Sequence, residues 1–466
     1  MMRNNWRGCQ DWRDFGIPLS TVSNEASKNF DAVLTQYVGW YEDISMGGIE
    51  NSINKMMEAD PNFVLGHVLT NGLKLSSMSN STYSNEEFKV NIDSMIELAA
   101  KQQITQREKK HVSAVKLWAD CELKQACDIW EDILMDYPTD MLALKFAHDN
   151  YFCLGYHPEM RDSISKVLPF WKQSMPLFGY LLGMHAFGLE ETCLYDAAAN
   201  QARRALDINR HDAWATHALA HVYEMTGRYD DGIQFMSNTE NDWKVCGLTA
   251  CHNYWHYGLF YIEKGNFEEA LAIFDSEIRK RALKSKSTME IVNSVSYLHR
   301  LKLEGVVVGD RFEDYSEMCR AHKDDHIMGY IDVHYLMACL GAEDEHGAQD
   351  VLQSIKEFIE KGRGDTCNSL KKIGLILCEA LVAFEAGEYH KTVELLYSRR
   401  YQIINLGGSN AQRDVFNLFL IHAAIKSKDK RHKNLARMLL SERKLMKEKS
   451  PLTDRMIAKA SILHEE

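Results

Sequence analysis

A chain of 466 residues with 45% hydrophobic and 26% charged residues is folded, and it is long for one globular core. A formal net charge of −12 without any basic run argues against a nucleic-acid partner. No stretch approaches the roughly 18 apolar residues of a membrane span. The start, Met1-Met2-Arg3-Asn4-Asn5-Trp6, lacks the apolar segment of a secretory signal. The expectation is a soluble, cytoplasmic protein without membrane contact, its 11 cysteines kept as thiols.

Seven prolines in the whole chain suit a helical protein. Residues 1–26 read as a lead-in or cap, with a helix cap within Leu19–Glu25. Helices are expected at 26–41 and 48–59, ended by Asp60-Pro61, and from 64 to 74. The Ser-rich stretch 75–84 is a loop, and a helix follows at 86–100. Helices at 107–120 and 124–134 form a pair closed by Tyr137-Pro138-Thr139-Asp140. The next pair is 141–154, turning at Gly155, and 158–170; residues 179–212 form another.

From Ala213 two helix–turn–helix units follow head to tail, with turns at Gly227-Arg228-Tyr229 and Gly265-Asn266-Phe267. Small residues (Ala220, Gly258, Ala270) fall where paired helices cross, and Tyr223 and Tyr261 close against the turns. A unit of about 34 residues with this pattern is a tetratricopeptide-type repeat. One such hairpin cannot bury its own apolar faces, so neighbours must stack. The fold class expected is all-α: helix–turn–helix repeats in a right-handed superhelical solenoid, open or curled and closed.

Past 281 the register loosens. Helices are expected at 287–303, 310–321, 325–340 and 346–360. Gly305-Val306-Val307-Val308-Gly309 reads as a connector, either a short strand or a buried loop, and 361–365 as a loop. The pattern returns at 373–406. Asn410 is placed as a helix cap, a last pair covers 411–426 and 431–448, and a terminal helix starts at Ser450-Pro451. The organisation is thus a lead-in (1–26), a repeat array (27–280), a degenerate connector region (281–372), C-terminal repeats (373–448) and a capping helix (449–466). A division into two domains near 281–310 is the alternative to one continuous array.

In this repeat type the first helix of each unit lines the concave face. His217, His221 and Glu224, at intervals of four and three, share one face of such a helix. His252 and Trp255 lie on the next first helix, and His111 and Asp149 on earlier ones. A His-, Trp- and acid-lined groove that holds a peptide or protein segment is the leading expectation. One alternative is a metal-dependent or acid–base enzyme. There His217, His221 and His252 would bind zinc or another divalent metal, with Glu224 or His217 as the catalytic group. The spacing is not H-E-x-x-H, since Ala218 stands where the base would be. The third reading is structural histidines with no ligand, hence no catalytic residues, metal or cofactor. A carboxylate clamp is not expected, because Lys145 is followed one turn on by Asp149.

Several strings give the chain a resemblance to the tetratricopeptide repeat protein 38 family along nearly its whole length. They are Leu19-Ser-Thr-Val-Ser-Asn-Glu-Ala26, residues 136–146, Cys251-His-Asn-Tyr-Trp-His256, residues 407–417 and Ser450-Pro-Leu-Thr453. The resemblance implies a repeat fold. It carries no catalytic set or cofactor, so the roles of His217, His221, Glu224 and His252 rest on helical phase alone.

Overall fold

Helix ends in this chain are set by short-range chemistry. Ser23 caps the helix Asn24–Gly39 by accepting from the Ala26 N–H. Asp140 Oδ1 accepts from the N–H groups of Leu142 and Ala143 at the start of Met141–Leu154, and Gly155, at φ 71°, ends that helix in the left-handed region. The computed structural model describes residues 5–465, and no strand occurs among them. Residues 1–4 and 466, the extremities of the expected lead-in and capping helix, lie outside the described residues.

The chain divides into two compact units. The first is Met1–Leu219 with Asn241–Ala250, and the second is Ala220–Glu240 with Cys251–Glu466. The division passes through the helices Ala213–Met225, Tyr229–Trp243 and Gly247–Lys264.

In the first unit, consecutive helices pack as hairpins of tetratricopeptide type. The pairs are Gln106–Ala119 with Leu123–Asp136, Met141–Leu154 with His157–Val167, and Phe178–Glu191 with Tyr195–Ile208. Their core is aromatic. The Trp118 ring lies 5.7 Å from Trp130 and 5.3 Å from Phe146, and Tyr37 lies 5.8 Å from Phe146. The lead-in contains a helix, Cys9–Asp14, whose Trp12 packs edge-on to Phe30.

The second unit repeats the scheme. It pairs Glu313–Ala321 with Gly329–Gly341, Leu375–Glu385 with Tyr389–Leu396, and Asn410–Lys426 with Lys430–Met446, and it ends in the helix Pro451–Glu465. The small-residue rule holds at Gly258, where an added Cβ would stand 2.7 Å from Tyr297 Cε2. Three helices of this unit, Thr288–Glu304, Gly329–Gly341 and Asn410–Lys426, are buried on nearly every side, polar residues included. Buried polar groups need partners, and these helices supply much of the candidate site.

Four local expectations are corrected. Residues 305–309 form neither a strand nor a buried loop, because only Val308 is buried and Val307 is 86% exposed. The 361–365 loop is cut short by a helix starting at Gly364. The helices expected from 310 and 325 start at Glu313 and Gly329. Finally, Ser409, not Asn410, caps the helix Asn410–Lys426. Its hydroxyl accepts from the Gln412 N–H while the Gln412 side chain returns to the Ser409 N–H. A pattern of apolar residues cannot locate such ends to better than a turn.

Candidate functional site

The residues expected to line a groove fall into both units. In the first, His111 is fully buried and sits 3.0 Å from Asp140, which also binds Arg107 at 2.7 Å and caps a helix. Burial pushes the Asp140 carboxyl up, but His111 and Arg107 together hold it well below the usual carboxylate range. Asp149 pairs with the buried ammonium of Lys145 and accepts from the Tyr37 hydroxyl at 2.6 Å. The Lys145 ammonium lies 4.8–5.2 Å from the rings of Tyr37, Trp40 and Trp214. His217 is 4% exposed, with its ring 5.0 Å from Phe187 and 5.6 Å from Trp214.

The second unit gathers the others. His221 stands one turn beyond His217 on Ala213–Met225, and Glu224 lies three residues further on. The helix Gly247–Lys264 brings His252, Trp255 and His256. The His221 and His256 rings are 4.3 Å apart, and His252 meets His256 edge-on at 4.8 Å. One ring nitrogen from each of His221, His252 and His256 lies within 4.8 Å of the others. His252 also stacks on the buried Trp255 at 5.2 Å, with ring planes 12° apart.

Glu224 accepts from His256 Nδ1 at 3.1 Å. A carboxylate only accepts, so Nδ1 carries the proton and Nε2 keeps the lone pair. The other Glu224 oxygen is 3.5 Å from Lys447 Nζ. Lys447 is in turn 3.9 Å from Asp414, which takes a two-pronged bond from Arg443 at 2.6 and 2.9 Å. Burial is the main cause that drives the imidazoles neutral. It pulls His252 down to about 3 and His256 well below its usual value, and repulsion from His221 adds to both.

The result is a cluster of three imidazoles, His252 and His256 held neutral, backed by a carboxylate and enclosed by an ion-pair network. Such a set can offer lone pairs to a metal. A neutral imidazole is the ligating form, and a carboxylate on its far nitrogen fixes the tautomer and raises basicity. Glu224 serves poorly as a proton-abstracting base, because both of its oxygens are engaged.

The sequence expectations omitted His256, Arg300, Asp414, Arg443 and Lys447. For His256 a signal existed, since it follows His252 by one helical turn. For the others there was none, because they arrive from helices distant along the chain.

No family model matches the chain. Among solved structures, a chain of the APC/C hetero-tetramer Cut9–Hcn1 matches over 93% of this chain and 84% of its own, at 11% identity and a TM-score of 0.38. The human IFIT1 dimer with m7Gppp-AAAA matches over 94% and 100%, at 12% identity and a TM-score of 0.35. The P58(IPK) TPR domain matches over 77% and 88%, at 12% identity and a TM-score of 0.19. Likenesses this distant carry no argument about ligand or partner.

Proposed function

We propose that this chain is a tetratricopeptide-type binding protein whose second unit takes a divalent transition-metal ion, such as zinc, at His221, His252 and His256. The observation that carries this reading is the convergence of three imidazole nitrogens within 4.8 Å, one ring being braced by Glu224. Zinc–nitrogen bonds of about 2.0–2.1 Å put tetrahedral ligand atoms about 3.4 Å apart, so the rings would have to close inward by about 1 Å. Eleven free thiols fit a reducing compartment such as the cytoplasm.

Titration of the metal-free protein with Co2+ tests the proposal. A saturable tetrahedral d–d band at one ion per chain is expected. His256→Ala should abolish it, and Glu224→Gln should weaken affinity about 10–100-fold. No saturable band, together with no thermal stabilisation by Zn2+, would end the reading.

A protein or peptide partner is the second reading, and a separate feature favours it. The side chains first expected to line a peptide groove are largely buried, so a partner would have to meet other residues. Tyr401, Met438, Leu445 and Met446 are 65–85% exposed, on the segment Tyr397–Leu406 and the helix Lys430–Met446. Arg400 links the two segments by stacking on Tyr401 and pairing with Glu442 at 2.7 Å. Tyr401→Ala with Leu445→Glu should remove a partner that the wild-type chain captures, with helicity unchanged. Equal capture by both chains would exclude this strip. No helix among the described residues is long and apolar enough to cross a membrane.

A further inference from the structure

Arg300, on the helix Thr288–Glu304, is 4% exposed. One nitrogen of its guanidinium, Nη2, donates to the backbone oxygens of Ala411 at 2.6 Å and Gln412 at 3.3 Å, in the first turn of Asn410–Lys426. Its Nε and Nη1 have no hydrogen-bond partner. Among the described residues no carboxylate is hydrogen-bonded to it. The nearby acids, Asp414 and Glu224, act on it only through space and are engaged by Arg443, Lys447 and His256. Arg443 also has the buried Glu263 nearby, so the buried cations Arg300, Arg443 and Lys447 are matched in number by Asp414, Glu224 and Glu263, none of which bonds Arg300. A buried guanidinium with unused donors is costly unless something accepts from it.

The groups around Arg300 share its condition. Its guanidinium lies 5.4 Å from the ring of Trp255, whose Nε1–H is buried and unpartnered. Ser296 is one turn earlier on the same helix. Its hydroxyl faces that of Tyr330, and neither finds a partner of full hydrogen-bonding geometry. Tyr330 and Arg300 interact electrostatically. His334, its ring 4.1 Å from Tyr330, donates through Nδ1 to the Tyr330 carbonyl at 2.7 Å, which leaves Nε2 unpartnered. Unpartnered donors thus outnumber unpartnered acceptors around Arg300. The N-terminal turn of a 17-residue helix adds a partial positive charge there.

We propose that Arg300, with Ser296, Tyr330 and Trp255, forms a buried site for a small oxyanion, a phosphate or a carboxylate. Arg300 supplies the charge and one unused N–H, because Nε and Nη1 point to different edges of the guanidinium, and the two hydroxyls and the indole N–H complete the coordination of the anion. The site stands on its own observations and does not require a metal at the imidazoles.

Thermal melting of the full chain at constant ionic strength, with chelator present, tests this. Sodium phosphate and sodium acetate are each titrated against sodium chloride. At least one oxyanion should raise Tm saturably, by about 5 °C at a hundredfold excess over Kd. A rise with phosphate alone assigns an inorganic or esterified phosphate, and a rise with acetate alone assigns a carboxylate. Ser296→Ala and Tyr330→Phe, which delete one hydroxyl each at nearly constant shape, should keep the fold and weaken the response about tenfold. Arg300→Lys should abolish it, whereas His256→Ala should leave it intact. The absence of a saturable rise with either anion overturns the proposal, as does a response that neither hydroxyl deletion changes.

Discussion

Acidification below about pH 6 should unfold this protein cooperatively. His252, His299, His334 and His422 are each pulled down to about 3, chiefly by burial, His185 to about 4, and His256 is also well below its usual value. The folded chain therefore keeps these rings neutral, while the unfolded chain protonates them near pH 6.5. For a base whose folded pKa is depressed, stability is full above the unfolded value and is lost as pH falls toward the folded one. Each such ring contributes about 1.4 kcal/mol per pH unit in that window. Five of them lie in the second unit, for a slope of about 7 kcal/mol per unit against a total stability of about 5–15 kcal/mol. His322 and His326 work in the opposite direction, because Asp325 and Asp332 hold them up against burial, but they are two rings against five. Circular dichroism at 222 nm between pH 7.5 and 4 should show a steep transition near pH 5, with a pH dependence corresponding to three or more protons. Native helicity and an unchanged Tm at pH 4 would refute it.

The second large effect is expected from Asp414→Ala. Asp414 takes both prongs of Arg443 and lies near Lys447, and the two cationic side chains are only 8% and 5% exposed. Burial opposes its charge, yet Arg443 and Lys447 hold the carboxyl below its ordinary range. Removing it strands the buried guanidinium of Arg443, while Lys447 keeps Glu224, a change that costs about 3–5 kcal/mol. Urea unfolding followed by fluorescence should register this as a lower midpoint at a similar slope. The double variant Asp414→Ala with Arg443→Met should recover part of the loss, since the stranded charge is then gone. A cost below about 1 kcal/mol would mean that the network relaxes toward solvent.

The histidines show how far the sequence could be read. Helical phase correctly places His221 and Glu224 one turn apart on one helix, because that spacing is local. The same reasoning cannot say what Glu224 meets. Its partner Lys447 lies more than two hundred residues later, at the end of the helix Lys430–Met446. His432, flanked in sequence by Lys430, Arg431 and Lys433, is 4% exposed and held by Ser427 and Glu394. Nothing within a few residues distinguishes it from an exposed histidine.

The sequence by itself determined that the chain is helical, roughly where its helices run, and that small residues such as Gly258 allow them to cross. These follow from backbone propensity, capping and apolar period, which act over a few residues. Tertiary structure alone decided which polar side chains are buried and which charges meet: Arg300 with the turn at Ala411 and Gln412, and Asp414 with Arg443 and Lys447. The energy of a buried charge depends on its surroundings in space, and those surroundings come from segments far apart in the chain.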